Sequence, residues 1–376
     1  MGARCRRAHL LRGKGLSGNL STTILPVHLV AHRFFLAWLL PVGVGVATWH
    51  SPWWALATLA VFQASLAAAE RLPAARCSPV PEPRALRHRV VLWGHVALQA
   101  GLLMLGTARA AEAGGSLAGV VALGIAVGGV TGGLGITMAH ELGHSRDRRE
   151  RALAWLLMGS VLYVHFMVEH YRGHHARAAT AEDPASARLG ESLWRFLPRT
   201  LLGSWRSAWR LEAHRLGRQG RGWWGSSLLW AAIAQVLLLG ALGLWGGGRA
   251  LLFWCAQAAY AVFLLETVNY IEHYGLRRDP SEPFRLQHAW NADHSLTNCF
   301  TVNLQRHSDH HMRPGKPYPT LQALPGPQLP TGYAGCLYLA MLPGAWRRTM
   351  DARARRWNEA GAAPPEAPVP APHGSR

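Results

Sequence analysis

The sequence predicts an all-α integral membrane protein, about six transmembrane helices with a helical cap on the cytoplasmic side. Composition is the first reason: 49% of the 376 residues are hydrophobic and only 16% are charged, where a soluble domain carries about 25% charged residues. Apolar runs are the second, at 34–49, 53–69, 90–108, 117–139, 223–245 and 251–271. Each is near the roughly 20 residues that cross a bilayer core. The third is an uneven placement of arginine, which gives the spans a direction.

Taken in order, residues 1–33 form a basic segment with Arg4, Arg6, Arg7, Arg12 and Lys14. No cleavable signal peptide is expected, because this segment is polar well past residue 20 and lacks a compact apolar stretch with a small-residue cleavage site. The first span is therefore expected to stay as an anchor. The runs 34–49 and 53–69 are short and borrow interfacial residues to cross. Arg71, Arg76, Arg84, Arg87 and Arg89 then separate the second span from the third, whereas the opposite connections hold little charge beyond Arg109 and Arg249. The positive-inside rule makes the N-terminus and this loop cytoplasmic.

After the fourth run comes a further apolar stretch, 153–168. Were it to cross, the histidines on its two sides would fall on opposite faces of the membrane, so it is read as an interfacial or re-entrant helix. The last two runs are joined by a GGGR turn and return the chain to the side it left. Residues 34–351 thus form one membrane-embedded domain, and the Pro/Ala-rich residues 352–376 are expected to be a disordered tail.

The formal charge of +19 is read in this membrane setting as the concentration of arginine in particular loops, with membrane lipid as a partner and no nucleic acid. Cys5, Cys77, Cys255, Cys299 and Cys336 are scattered and odd in number, with no C-x-x-C pair. Neither a disulfide framework nor a tetrathiolate metal site is encoded, so a redox partner must be a separate molecule.

Twenty histidines occur, and nine fall in four tight groups on the cytoplasmic face. MAHELGHS supplies His140 and His144, EHYRGHH supplies His170, His174 and His175, NYIEHYG supplies His273, and LQRHSDHH supplies His307, His310 and His311. HELGH alone fits the H-E-x-x-H pattern of a zinc protease, with Glu141 as base. A catalytic zinc takes about three protein ligands, and nine imidazoles exceed that need. Two ions of higher coordination absorb them, and imidazole suits iron as well as zinc. The pattern points to a di-iron centre for dioxygen chemistry. Glu141, Glu169 and Glu272 stand beside the histidines, placed to orient imidazoles, take protons or bind metal, or else to pair with arginines. Asn269 lies one helical turn before His273. A histidine-rich metal transporter would need more ionisable groups along its spans than Gln63, Gln99, Gln235, Gln257, Glu266 and His95 provide.

Together HELGHS, EHYRGHH, NYIEHYGL and LQRHSDHH resemble the histidine boxes of the integral-membrane alkane 1-monooxygenases, relatives of membrane fatty-acid desaturases and xylene monooxygenases. EDPASARLGES, WNADHSLTN and YPTLQALPGPQLPTGY agree with that branch. The likeness runs from about residue 140 to 351, and the first half matches only in hydropathy. It implies six transmembrane helices in the inner (cytoplasmic) membrane and a cytoplasmic site of two non-haem iron ions. With dioxygen and electrons from rubredoxin, supplied by rubredoxin reductase, such a site hydroxylates the terminal methyl of a medium or long-chain n-alkane. The implied iron ligands are His140, His144, His170, His174, His175, His273, His307, His310 and His311. Glu272 sits close to them, and with Asn269 and Glu141 it makes the candidate catalytic set.

An alkane has no polar handle, so an apolar tunnel between the spans must deliver its methyl. Trp53 and Trp54 either gate that tunnel or belong to an interfacial belt. Arg146, Arg148, Arg149, Arg151, Arg172 and Arg177 flank the first two boxes and face either an acidic electron donor or anionic lipid. A xylene-type methyl monooxygenase or a fatty-acid ω-hydroxylase or desaturase is the alternative on the same scaffold.

Overall fold

The structure, a computed structural model, describes residues 32–72, 86–112 and 114–362. Of the basic N-terminal segment only the last residues are described; Arg76 and Arg84 of the second loop also lie outside the described residues, as do Cys5 and Cys77. Every expected apolar run falls on a helix. A 3-10 turn, Arg33–Trp38, leads into α1 (Leu39–His50), and the chain turns at Ser51 into α2 (Pro52–Ala69). Proline at the first helical position and the Ser51 hydroxyl, accepting from the Trp53 amide at 3.2 Å, start α2; both devices suit amides that lack partners within the helix. α3 is Leu86–Ala111, and α4 (Leu117–Val130) continues through a wider π turn, Thr131–Gly135, into α5 (Ile136–Gly143).

α6 (Arg148–Ser160) holds the first half of the stretch 153–168 expected to lie at the interface; turns and a short helix, Phe166–Val168, make up the rest. At 13 residues α6 is about 20 Å long, too short to cross. Its end is pinned to the bundle: Gln99 Nε2 donates to the Ser160 hydroxyl at 2.8 Å, and Gln257 Nε2 to the Ser160 carbonyl at 2.7 Å. α7 (Leu193–Arg218) follows, and then α8 (Ser227–His273), nominally 47 residues. A straight helix of that length would measure about 70 Å. Gly247, at φ 63° and ψ −161°, breaks it instead. Arg249 beside the break donates to the carbonyls of Ala110 and Gly115 at 2.8 and 2.7 Å. The break thus sits at the end remote from the histidines, and the second half returns toward them.

That returning half packs on α4 through a glycine stripe. A Cβ on Gly124, Gly128 or Gly132 would meet Ala256, the Gln257 carbonyl or Ala261 at 2.6 Å. Small residues four apart let two backbones approach closely where dispersion contacts dominate packing. α2, α3, the continuous helix Leu117–Gly143 and α8 are long and apolar enough to cross a membrane. Outward-facing Val61, Met104, Leu237 and Leu244 are 66–93% exposed. The protein is a helical membrane protein. Among the described residues no strand forms, only an isolated bridge between Asn291 and Gln328.

Short helices α9 (Ser295–Phe300), α10 (His307–Met312) and α11 (Tyr333–Ala340) cap one end, and α12 (Pro343–Ala362) closes the described chain. The expected tail from 352 is corrected here: α12 runs on to Ala362 because Trp346, Met350 and Ala354, all fully buried, form one stripe. The rings of Tyr270 and Tyr274 receive Trp346 at 5.3 and 5.4 Å. Residues 363–376 lie outside the described residues.

Candidate metal centre

All nine histidines of the four boxes converge, in two adjacent groups. His140, His144, His170, His175 and His310 form one, and His174, His273, His307 and His311 the other; within each group the candidate donor atoms lie within 4.8 Å of one another. The boxes do not map one to one onto the groups. In EHYRGHH the backbone is wound as a π turn over Glu169–His174, whose wider pitch aligns residues five apart. His170 therefore meets His175, their Nε2 atoms 3.1 Å apart, while His174 turns to the other group. On α10 ordinary helical pitch puts His307 and His311 together and sends His310 to the five-membered group.

The donor set fits metal ions. His175 Nε2 lies 3.1 Å from His144 Nε2 and 3.3 Å from His310 Nε2, and His307 Nε2 is 3.2 Å from His273 Nε2. Nitrogens bound at about 2.1 Å to one ion stand about 3.0 to 3.4 Å apart for right-angle to tetrahedral geometry. The buried Nε2 atoms of His140 and His174 and both ring nitrogens of His311 make no hydrogen bond within the protein. So many unsatisfied buried nitrogens call for a shared partner, and a cation supplies one. Burial holds His144 down to about 3, and burial with the neighbouring imidazoles holds His170, His175, His307, His310 and His311 well below the usual histidine range. Neutral rings with free lone pairs are the form that ligates.

Outer contacts set the rings. Asp183 Oδ2 lies 2.9 Å from His174 Nδ1 and is itself held by the Ser186 hydroxyl at 2.6 Å. Burial is the largest single influence on His174 and lowers it, but the charge and hydrogen bond of Asp183, with the charges of Glu272 and Glu169, together outweigh it and raise the histidine; Asp183, against its own burial, is held down to about 2. The His288 carbonyl accepts from His273 Nδ1 at 2.9 Å. Glu272 Oε1 is 3.3 Å from His307 Nδ1 and accepts the Tyr333 hydroxyl at 2.7 Å. Asn269 Nδ2 donates to the buried Glu266 at 3.2 Å.

Glu141 is placed differently. Its Oε1 accepts the Tyr318 amide at 3.1 Å, tying the first box to the turn after the fourth. That contact, and the five imidazoles around His140, set the HELGH stretch apart from a one-zinc protease site. Glu169 pairs with Arg177 at 2.7 Å, the arginine alternative foreseen for these carboxylates. Asp183 and Tyr333 escaped the sequence reading. Asp183 sits nine residues after His174 in EDPASARLGES, where an acid beyond a ligating imidazole is the available signal; Tyr333 had none.

From the histidines a largely apolar channel runs between α2, the Thr131–Gly135 turn, α8 and α11, with about 1250 Å³ of free space counting its open mouth. His140, His170, His307, Asn269 and Glu272 form its inner end; Leu59, Phe62, Leu66, Phe263 and Leu337 line its walls. Trp53 and Trp54 are 56% and 66% exposed and are not among the lining residues.

The fold and site define a helical membrane protein with a nine-imidazole centre at the end of an apolar channel. A family model for fatty acid desaturases matches residues 114–338. Alkane 1-monooxygenase 2 of Pseudomonas aeruginosa is 40% identical over 291 residues, 74% of this chain and 77% of that protein. Alkane 1-monooxygenase 1 of the same organism is 41% identical over 62% of this chain and 63% of its own length, and the Pseudomonas putida alkane 1-monooxygenase 39% over 63% and 61%. The chain thus spans a little under two thirds of two of these relatives. It belongs to the alkane 1-monooxygenases within the fatty acid desaturase family.

Proposed function

We propose that the protein hydroxylates the terminal methyl of medium or long-chain n-alkanes. The balance is R–CH3 + O2 + 2 e⁻ + 2 H⁺ → R–CH2OH + H2O, with rubredoxin as electron donor. The observation that carries this reading is the apolar channel ending on both histidine groups. An alkane that partitions into the bilayer finds there a path whose only strong functionality lies at its inner end.

In this reading the five-histidine and four-histidine groups hold two non-haem irons. Bound there, they supply the dioxygen-derived oxidising power that an unactivated C–H bond demands. The chain's residues do the rest. Leu59, Phe62, Leu66, Phe263 and Leu337 exclude water and align the substrate end-on. Glu272, held by Tyr333, keeps His307 turned toward its group. Asn269 offers an amide to the product hydroxyl at the channel's inner end. Glu141 acts by position, through Tyr318. Six crossings of the inner membrane, counting α1 and both halves of α8, put the N-terminus and the centre in the cytoplasm. The exposed Arg146, Arg148 and Arg149 form the face for an acidic electron donor.

Reconstitution with rubredoxin and its reductase, fed alkanes of graded length and an aromatic methyl compound, tests the reading. 1-Alkanols are expected; oxidation of the aromatic compound with no 1-alkanol would sink it. Gly133 lines the channel, and a Cβ there meets nothing within 4 Å. Gly133→Phe is expected to shift products toward shorter chains at unchanged metal content.

A further inference from the structure

A groove on the histidine side of the molecule is used by no step above. It lies between α6, the Glu169–His174 turn, α7 and the start of α8, with about 900 Å³ of free space counting its mouth. Arg151, Arg172, Arg215 and Arg221 line it against a single carboxylate, Glu212. Glu212 is buried and fully engaged. Arg215 reaches its two oxygens at 2.7 and 2.8 Å, Arg172 at 3.0 Å and the Ser226 hydroxyl at 2.8 Å. One carboxylate cannot balance four guanidiniums, so the groove stays strongly cationic. Arg215 is also held by the Gly225 carbonyl at 3.2 Å and by Gln219 at 2.8 Å; with its fork taken by Glu212 it contributes fixed positive charge, and Arg151, Arg172 and Arg221 keep donors for a ligand.

Its level is marked by indoles. Trp223, Trp224 and Trp230 neighbour its lining residues Arg221, Gly225 and Leu228 along the chain and are 45–74% exposed, as tryptophans are where membrane meets water. Directly along α8 from the groove, Trp230, Leu237 and Leu244 are 52%, 67% and 93% exposed. Spaced seven apart, they share one helix face, an apolar strip leading away from the arginines.

We propose that this groove binds the phosphate headgroup of an anionic phospholipid, whose acyl chains lie along the face of Trp230, Leu237 and Leu244. Guanidinium forks match phosphate oxygens in pairs, and a basic pocket at the ends of membrane helices favours anionic over zwitterionic headgroups. An acidic protein would need open, protruding cations such as Arg146, Arg148 and Arg149. Within the groove Arg151 and Arg215 are recessed, Arg215 being 23% exposed, while Arg172 and Arg221 stand at its mouth; this concave arrangement suits a compact headgroup. The lipid would also brace the metal centre: Tyr171 on the groove wall donates to the carbonyls of Ala139 and His140 at 3.2 and 3.1 Å.

Native mass spectrometry of the full chain, released from mixed phosphatidylglycerol and phosphatidylcholine nanodiscs, tests this. The wild type is expected to retain phosphatidylglycerol selectively, and Arg151→Gln/Arg221→Gln to lose about tenfold or more of that retention. Arg151→Lys/Arg221→Lys, which keeps the charge, is expected to recover most of it and guards against misfolding. Excess inorganic phosphate should leave the lipid in place. Equal retention by the glutamine variant, equal retention of phosphatidylcholine, or displacement by inorganic phosphate would each overturn the proposal. So would unchanged lipid binding with lost donor-supported turnover, which would give the groove to an acidic protein.

Discussion

The two histidine groups differ in what stands behind them. The four-membered group is buried throughout; the Asp183 carboxylate and the His288 carbonyl set two of its rings from outside, and Glu272 stands 3.3 Å from His307 Nδ1. In the five-membered group His144 and His175 are partly exposed, and among the described residues no carboxylate is hydrogen-bonded to any of the five rings. One group is organised by a few anchored ligands and the other by number. A carboxylate behind an imidazole fixes its tautomer and raises its basicity, so the four-membered group is expected to hold its ion more tightly per ligand.

Removing ligands is the harshest way to break that comparison. His307→Ala leaves three imidazoles in its group and is expected to lose one of two metal equivalents, with turnover down by about 1000-fold or more. His144→Ala leaves four imidazoles in the other group; turnover should fall as far, yet most of its metal should remain. Metal analysis beside alkanol formation checks both, and full metal in the His307 variant would refute the division. Next in size is Asp183→Asn, which keeps shape and removes charge. Metal affinity is expected to drop by about 10- to 100-fold in the four-membered group alone, seen as one of two equivalents lost first to a chelator.

The same contrast explains what could be read from the sequence. Box spacing and apolar runs are local, so the nine histidines and the helical hairpin closed by Gly247 were legible. Division of the histidines was not, because the π turn at Glu169–His174 replaces the i, i+4 pairing of His170 with His174 by an i, i+5 pairing with His175. Tyr333 meets Glu272 across 61 residues, a contact that no spacing within either segment encodes. Only the end of α12, 352–362, falls in the expected tail; what holds it in the helix is the stripe of Trp346, Met350 and Ala354, which packs on Tyr270 and Tyr274 far away in sequence.

Tyr333→Phe probes the four-membered group more gently. It removes the hydroxyl that holds Glu272 without touching a ligand, and leaving a buried polar group without its partner costs about 1–3 kcal/mol. Turnover is expected to fall roughly tenfold at unchanged metal content, whereas metal loss equal to that of Asp183→Asn would show that Glu272 serves binding instead.

The smallest effect is expected at the loop that presents Asp183. Arg199 clamps this loop by donating to the carbonyls of Pro184 and Ser186 and to both oxygens of Glu191. Burial pushes the Glu191 carboxyl up, but its hydrogen bonds to Arg199 and to the Arg188 amide outweigh burial and leave it below the usual 4.5. A carboxylate lowered in the folded state contributes stability that is complete above its unfolded value and fades as pH falls through the lowered one. Metal release from the four-membered group should therefore quicken below about pH 4.5, and Glu191→Gln should bring a similar few-fold faster release to neutral pH. Acid speeds release from both groups by protonating imidazoles, so the Glu191→Gln comparison at neutral pH is the one that decides. The five-membered group, which takes nothing from this loop, is expected to be unchanged there; if chelator kinetics gave both groups the same response to that variant, the clamp would be steadying the whole cap and the contrast between them would lose its structural cause.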